Sequence, residues 1–142
     1  MFYQKSNSPL VTSPPHILPH IFRLFTCSRH LQYVRLNHNC LLYLPEKISN
    51  SNIETLLLHC NRLEQLPQNL LKHLHKLKIL NLSQNQLVSL PLPNDRTDLN
   101  RLQELYLSCN EFDDDVFAII SRYERLKILH LAYNRLEQID ER

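Results

Sequence analysis

Glycine is missing from all 142 residues of this sequence, and no other absence excludes as much. Phosphate-cradling loops, dinucleotide fingerprints, nucleophile elbows and calcium loops all use glycine where the backbone must turn through positive φ or approach a ligand closely. None of them is present in its usual form. Long apolar runs are missing too. The longest apolar stretches, such as Val116–Ile120, fall far short of the roughly 20 residues of a membrane-spanning helix, so no span is expected. The first residues, MFYQKSNSPLVTSPPH, lack the continuous apolar centre of a secretory signal, which favours a cytoplasmic setting. An excess of charge of either sign is missing as well. The 16 Lys+Arg against 14 Asp+Glu leave a net +2, with no basic stripe for nucleic acid to follow.

What is present is a repeat in a chain that is 43% hydrophobic. The pattern LxxLxLxxNxL, often followed by xxLP, occurs five times. The first copy reads Leu31, Val34, Leu36, Asn39, Leu41, Leu44, Pro45, and the second Ile53, Leu56, Leu58, Asn61, Leu63, Leu66, Pro67. The third is Leu77, Leu80, Leu82, Asn85, Leu87, Leu90, Pro91; the fourth Leu102, Leu105, Leu107, Asn110, Phe112; the fifth Leu126, Leu129, Leu131, Asn134, Leu136, Ile139. Starts at 31, 53, 77, 102 and 126 differ by 22, 24, 25 and 24 residues, within the roughly 20–29 of leucine-rich repeats. The expected fold is therefore an α/β leucine-rich-repeat solenoid, with a parallel concave sheet and short helices or irregular segments on the convex side. Residues 31–142 form one domain of five repeats. Residues 1–30, with Ile17-Leu18-Pro19, Ile21 and Leu24, are expected to be a poorly ordered segment or a degenerate N-terminal cap.

Each coil should open with a short strand whose fourth and sixth residues point inward, since side chains alternate with period two. The asparagine at the ninth place turns the chain out of the strand, and its amide is expected to bond the backbone of neighbouring coils. Of the return segments, PQNLLKHLHK and DDDVFAIISRYER read as short helices, the second with an aspartate N-cap ahead of Val116. LPLPNDRTDLN, with two prolines, reads as irregular or 3₁₀. In the fourth coil Asp115 stands where leucine is expected, and Val116 should supply the apolar contact one place later. No polar capping coil follows the fifth repeat, so the expectation is a fragment able to self-associate through that end.

The third, fifth, seventh and eighth places of each coil should project from the concave sheet. The residues expected to contact a protein partner there are Tyr33, Arg35 and His38 in the first coil, Leu57 and His59 in the second, and Asn81 and Gln84 in the third. Glu104 and Tyr106 continue the series in the fourth coil, with Ile128, His130 and Tyr133 in the fifth. Such mixed aromatic, apolar and polar faces suit protein recognition.

Chemistry has weaker candidates. The run Asp113-Asp114-Asp115 lacks the turn residue of a calcium loop and fits helix capping. His38, Cys40, His59 and Cys60 fall at neighbouring strand ends, a donor set zinc accepts, but at spacings of no usual zinc motif. No metal or cofactor is expected. Cys60 and Cys109 share a register two coils apart, about 10 Å, too far for a disulfide. His130, Tyr133 and Tyr106 evoke acid–base catalysis, yet no serine, cysteine or carboxylate has the register of a partner nucleophile. The chain is accordingly not expected to be an enzyme. With no CxxC pair and no cysteine-rich cap around the repeats, it does not have the cysteine usage of a secreted repeat protein. The sequon Asn81-Leu82-Ser83 lies inside a predicted strand, and is read as accidental.

The stretch LQELYLSCNEFDDDVFAIISRYERLKILHLAYNRLEQI, from Leu102 to Ile139, resembles the repeat region of the PH-domain and leucine-rich-repeat protein phosphatases. There a helix-bearing coil leads into a coil containing LKILHxAYNRL, matched here by Leu126 to Leu136. The resemblance implies a recognition segment, whose separate metal-dependent domain would remove phosphate from AGC-type protein kinases. That domain uses aspartates beside glycines, so no catalytic residue carries over to this chain. The LP-type coils from Leu31 onward are also compatible with a cytosolic adaptor of the small-GTPase-associated type.

Overall fold

The structure, a computed structural model, describes residues 30–46, 52–91 and 101–137. The expected degenerate cap (apart from His30) and the LPLPNDRTDLN segment (apart from Leu90 and Pro91) lie outside the described residues. The described chain forms five short strands: β1 Tyr33–Arg35, β2 Thr55–Leu57, β3 Ile79–Asn81, β4 Glu104–Tyr106 and β5 Ile128–His130. They pair in parallel in the order β1-β2-β3-β4-β5. Register follows from the repeat, because the same place in each coil meets its counterpart in the next: Val34, Leu56, Leu80, Leu105 and Leu129 form one row. The strands are short because the asparagine comes five residues after the row residue.

Alternation decides what is inside. In β1 to β4 the central residue is buried between two half-buried neighbours, and the sixth-place Leu36, Leu58, Leu82 and Leu107 are buried beneath them. With eleventh-place Leu41, Leu63, Leu87 and Phe112 they make one continuous core. In β5 all three residues are exposed, Leu129 included. One coil thus stacks on the next through leucines that a single coil could not bury.

The asparagines behave as the repeat demands. Asn61 Nδ2 donates to Leu58 O in its own coil (2.8 Å) and to Leu36 O in the preceding one (2.9 Å), while its Oδ1 accepts the Leu41 N–H at 3.0 Å. Asn85 repeats this with Leu82 O, Leu58 O and the Leu63 N–H. Asn110 and Asn134 do the same one and two coils on. Asn61, Asn85 and Asn110 are buried, and each satisfies backbone groups that no water reaches.

Immediately before each asparagine the chain passes through left-handed backbone. His38, Cys60, Gln84, Cys109 and Tyr133 have φ of 55–58°, a region that costs a residue with a Cβ roughly 1–2 kcal/mol. Among its described residues a chain without glycine therefore makes five turns of the kind glycine usually makes. The turns are held by coil-to-coil bonds, such as His38 N–H to His59 O and Cys60 N–H to Ser83 O, both 3.0 Å.

Among the described residues two return segments are helical, as expected: α1 Leu70–His73 and α2 Val116–Ile120. Leu70, Leu71 and Leu74 dock the first onto the core, and Val116, Ile119 and Ile120 the second. Asp115 is exposed and Val116 buried, so the apolar contact does move one place along. The capping expectation needs correction. Asp115 occupies the N-cap position but makes no side-chain cap bond; Asp113 Oδ1 accepts the Asp115 N–H at 3.1 Å. Asp114 Oδ1 accepts the Glu137 N–H at 3.3 Å, tying the helix start to the fifth coil.

Behind α2, Tyr123 is buried, and burial holds its hydroxyl pKa well above the ordinary value of 10.0. A raised folded-state pKa gives stability that is complete below pH ~10 and is lost as pH rises further, because the unfolded phenol ionises first. Tyr123→Phe should therefore shift the alkaline limb of the unfolding curve to higher pH, read by circular dichroism. An unchanged limb would rule Tyr123 out as its cause.

Candidate functional site

The concave sheet gathers the expected contact residues into rows, because third- and fifth-place side chains share one face of each strand. Across the sheet the third-place row is Tyr33, Thr55, Ile79, Glu104 and Ile128, and the fifth-place row Arg35, Leu57, Asn81, Tyr106 and His130. Most of these side chains are half-buried, packed by neighbours while one surface remains open. His38, Gln84 and Tyr133, on the left-handed turns, are exposed.

At one end of the face Arg35 Nη2 donates to the Tyr33 hydroxyl at 3.1 Å, and its guanidinium lies 5.8 Å from that ring's centroid. At the other end Tyr106 donates its hydroxyl to Glu104 Oε2 at 2.9 Å. The carboxylate acceptor raises the Tyr106 pKa. Its ring lies against His130, with centroids 4.8 Å apart. Sequence reasoning placed no carboxylate near these two residues as a nucleophile; Glu104, two residues before Tyr106 on the same strand face, is a carboxylate in contact. It acts as a hydrogen-bond acceptor that fixes the tyrosine. Tyr133 is 85% exposed and stands apart from this pair as an isolated aromatic.

Between the two ends the register unites residues from adjacent coils. The His38 and His59 rings meet edge to face at 5.4 Å, and the Cys60 thiol contacts Gln84 Oε1. Burial, then the nearby His38 and Arg35, lower the His59 pKa and so favour its neutral ring. Burial and Cys109 raise the Cys60 thiol. His38, His59 and Cys60 each offer a donor atom, all within 4.8 Å of one another. Cys40, which the sequence grouped with them, is exposed and outside that cluster. Cys60 and Cys109 are free thiols, in line with the spacing argument. The Asn81 side chain caps its own turn, accepting the Ser83 N–H at 3.0 Å.

Sequence reasoning missed the backbone of the eighth place. Histidine, cysteine, glutamine and tyrosine carry no signal for positive φ. Their common position, one before the asparagine, was the available clue.

A family model described as Leucine rich repeat matches residues 51–112. The fold is a leucine-rich-repeat solenoid. Among solved structures, an internalin (inlF) from Listeria monocytogenes str. 4b F2365 superposes on this chain with a TM-score of 0.64 at 24% identity. The match covers 78% of this chain and 31% of the internalin, so the chain spans about a third of the length of that leucine-rich-repeat structure. No curated protein sequence matches. No helix among the described residues is long and apolar enough to cross a membrane.

Proposed function

We propose that the concave sheet is the protein-recognition surface of an intracellular signalling protein. The observation that carries this reading is the group at Tyr106. A tyrosine on an open sheet is held from below by Glu104 and from the side by His130, with apolar Ile79 and Ile128 beside Glu104 in the third-place row. A pre-positioned aromatic of this kind loses little freedom on contact, which is what an interface anchor needs.

The resemblance of Leu102–Ile139 to the leucine-rich-repeat Ser/Thr phosphatases supports a finer reading. The chain would then be the recognition segment of such a phosphatase, its partner an AGC-type protein kinase. A second reading, a cytosolic adaptor that engages small GTPases, draws on the Leu44-Pro45, Leu66-Pro67 and Leu90-Pro91 coils.

Titrating the purified chain by calorimetry against kinase catalytic domains and against small GTPases separates the two. Saturable kinase binding that Tyr106→Ala weakens by about 2 kcal/mol or more is the expected result. GTPase binding with the same dependence would favour the adaptor, and binding indifferent to Tyr106 would remove the concave face from the account.

A further inference from the structure

We propose that His38, His59 and Cys60 form a binding site for a thiophilic divalent cation, zinc in the first place. The three come from two coils and are not a local motif, which is why no usual zinc spacing announces them. The repeat brings them together: His59 and Cys60 lie just beyond β2, and His38 occupies in the first coil the place that Cys60 occupies in the second.

Geometry supports a common centre. Zinc binds imidazole nitrogen at about 2.0–2.1 Å and thiolate sulfur at about 2.3 Å, so tetrahedral donors stand roughly 3.3–3.8 Å apart. Separations within 4.8 Å need an adjustment of about 1 Å to reach that arrangement. The main chain beneath is already fixed. His38 N–H donates to His59 O, Cys60 N–H donates to Ser83 O, and both His38 and Cys60 sit in left-handed turns with φ of 56°. Coils that cannot slide against each other hold their side chains in register.

The chemistry of the donors narrows the cation. Two imidazoles and a thiol, with no carboxylate in the cluster, suit zinc and exclude the hard cations magnesium and calcium. His59 Nδ1 is buried without a hydrogen-bond partner among the described residues, a polar group that a ligand would satisfy. Cys60 supplies the anionic ligand. On binding, its S–H proton passes to the buffer and a sulfur–zinc bond forms. Gln84 Oε1, the present acceptor of that thiol, is then free to accept from the water that completes four-coordination. Three protein ligands and one open position make this a weaker, exchangeable site than a closed four-ligand one.

Cobalt titration of the full chain tests the site optically. One equivalent should give the visible bands of tetrahedral cobalt with a thiolate-to-cobalt charge-transfer band, and zinc should abolish both. Cys60→Ser should remove the charge-transfer band, and His59→Ala should weaken binding at least about tenfold. Cys109→Ser and Cys40→Ser should leave the spectrum intact, and circular dichroism verifies that each variant is folded. A wild-type chain without the band, or a band that survives Cys60→Ser through another cysteine such as Cys27, would overturn the proposal.

Discussion

Replacing Phe112 with alanine should lower the unfolding free energy by about 3–5 kcal/mol, a large share of the roughly 5–15 kcal/mol that a domain commonly has. Phe112 is fully buried and occupies the eleventh place, where the other coils carry leucine. The fourth coil also lacks a leucine at the fourteenth place, where Asp115 is exposed. The larger ring, with Val116, offsets that missing volume. Phe112 also joins the last coils through its backbone: its N–H donates to Asn134 Oδ1 at 3.2 Å and its oxygen accepts the Arg135 N–H at 2.9 Å. A cavity here therefore loosens both the fourth coil and its contact with the fifth. Urea unfolding followed by circular dichroism gives the number. Phe112→Leu should cost much less, and equal costs for the two variants would contradict the volume argument.

Asn85→Ala should destabilise on the order of 3 kcal/mol, because one side chain bonds three buried backbone groups at once. The Leu63 N–H loses its acceptor, while Leu58 O and Leu82 O each lose one of two donors and keep the amides of Asn61 and Asn110. The unsatisfied buried N–H costs about 1–3 kcal/mol, and each of the two lost carbonyl bonds adds about 0.5–1.5 kcal/mol. Asn134 makes the same set of bonds but is only half-buried, so water can replace part of what Asn134→Ala removes. The asparagine in the middle should therefore matter more than the one in the fifth coil. Equal losses at both positions would show that the ladder is not what makes these residues costly to change.

Much of this architecture was legible because one constraint repeats. A leucine at the fourth and sixth places must point inward once the asparagine at the ninth place fixes where the strand ends, and five copies fix the register of the sheet. The helices were legible for a different reason, the apolar spacing of Leu70, Leu71 and Leu74 and of Val116, Ile119 and Ile120. Side-chain partners were less so. Asp115 looked like the cap because it adjoins Val116, yet the turn geometry gives the bond to Asp113. The left-handed turns escaped notice because tertiary bonds impose them on residues with no preference for them. Contacts between coils, such as His38 with His59 or Tyr106 with His130, depend on where the eighth-place turns and the strand register set each ring, which a linear reading places only to within a row. Cys40 shows the limit: adjacent in sequence to the same strand end, it lies outside the cluster.

The central claim is that partners meet the concave sheet around Tyr106, and site-specific photo-crosslinking tests it most directly. A photoreactive residue in place of Tyr106 is compared, in extract from cells expressing the chain, with one in place of Val88, which is 53% exposed and outside the sheet. A discrete protein adduct from position 106, competed away by excess unlabelled chain and missing from position 88, is the predicted result. Adducts from position 88 alone, or equally from both, would contradict the account.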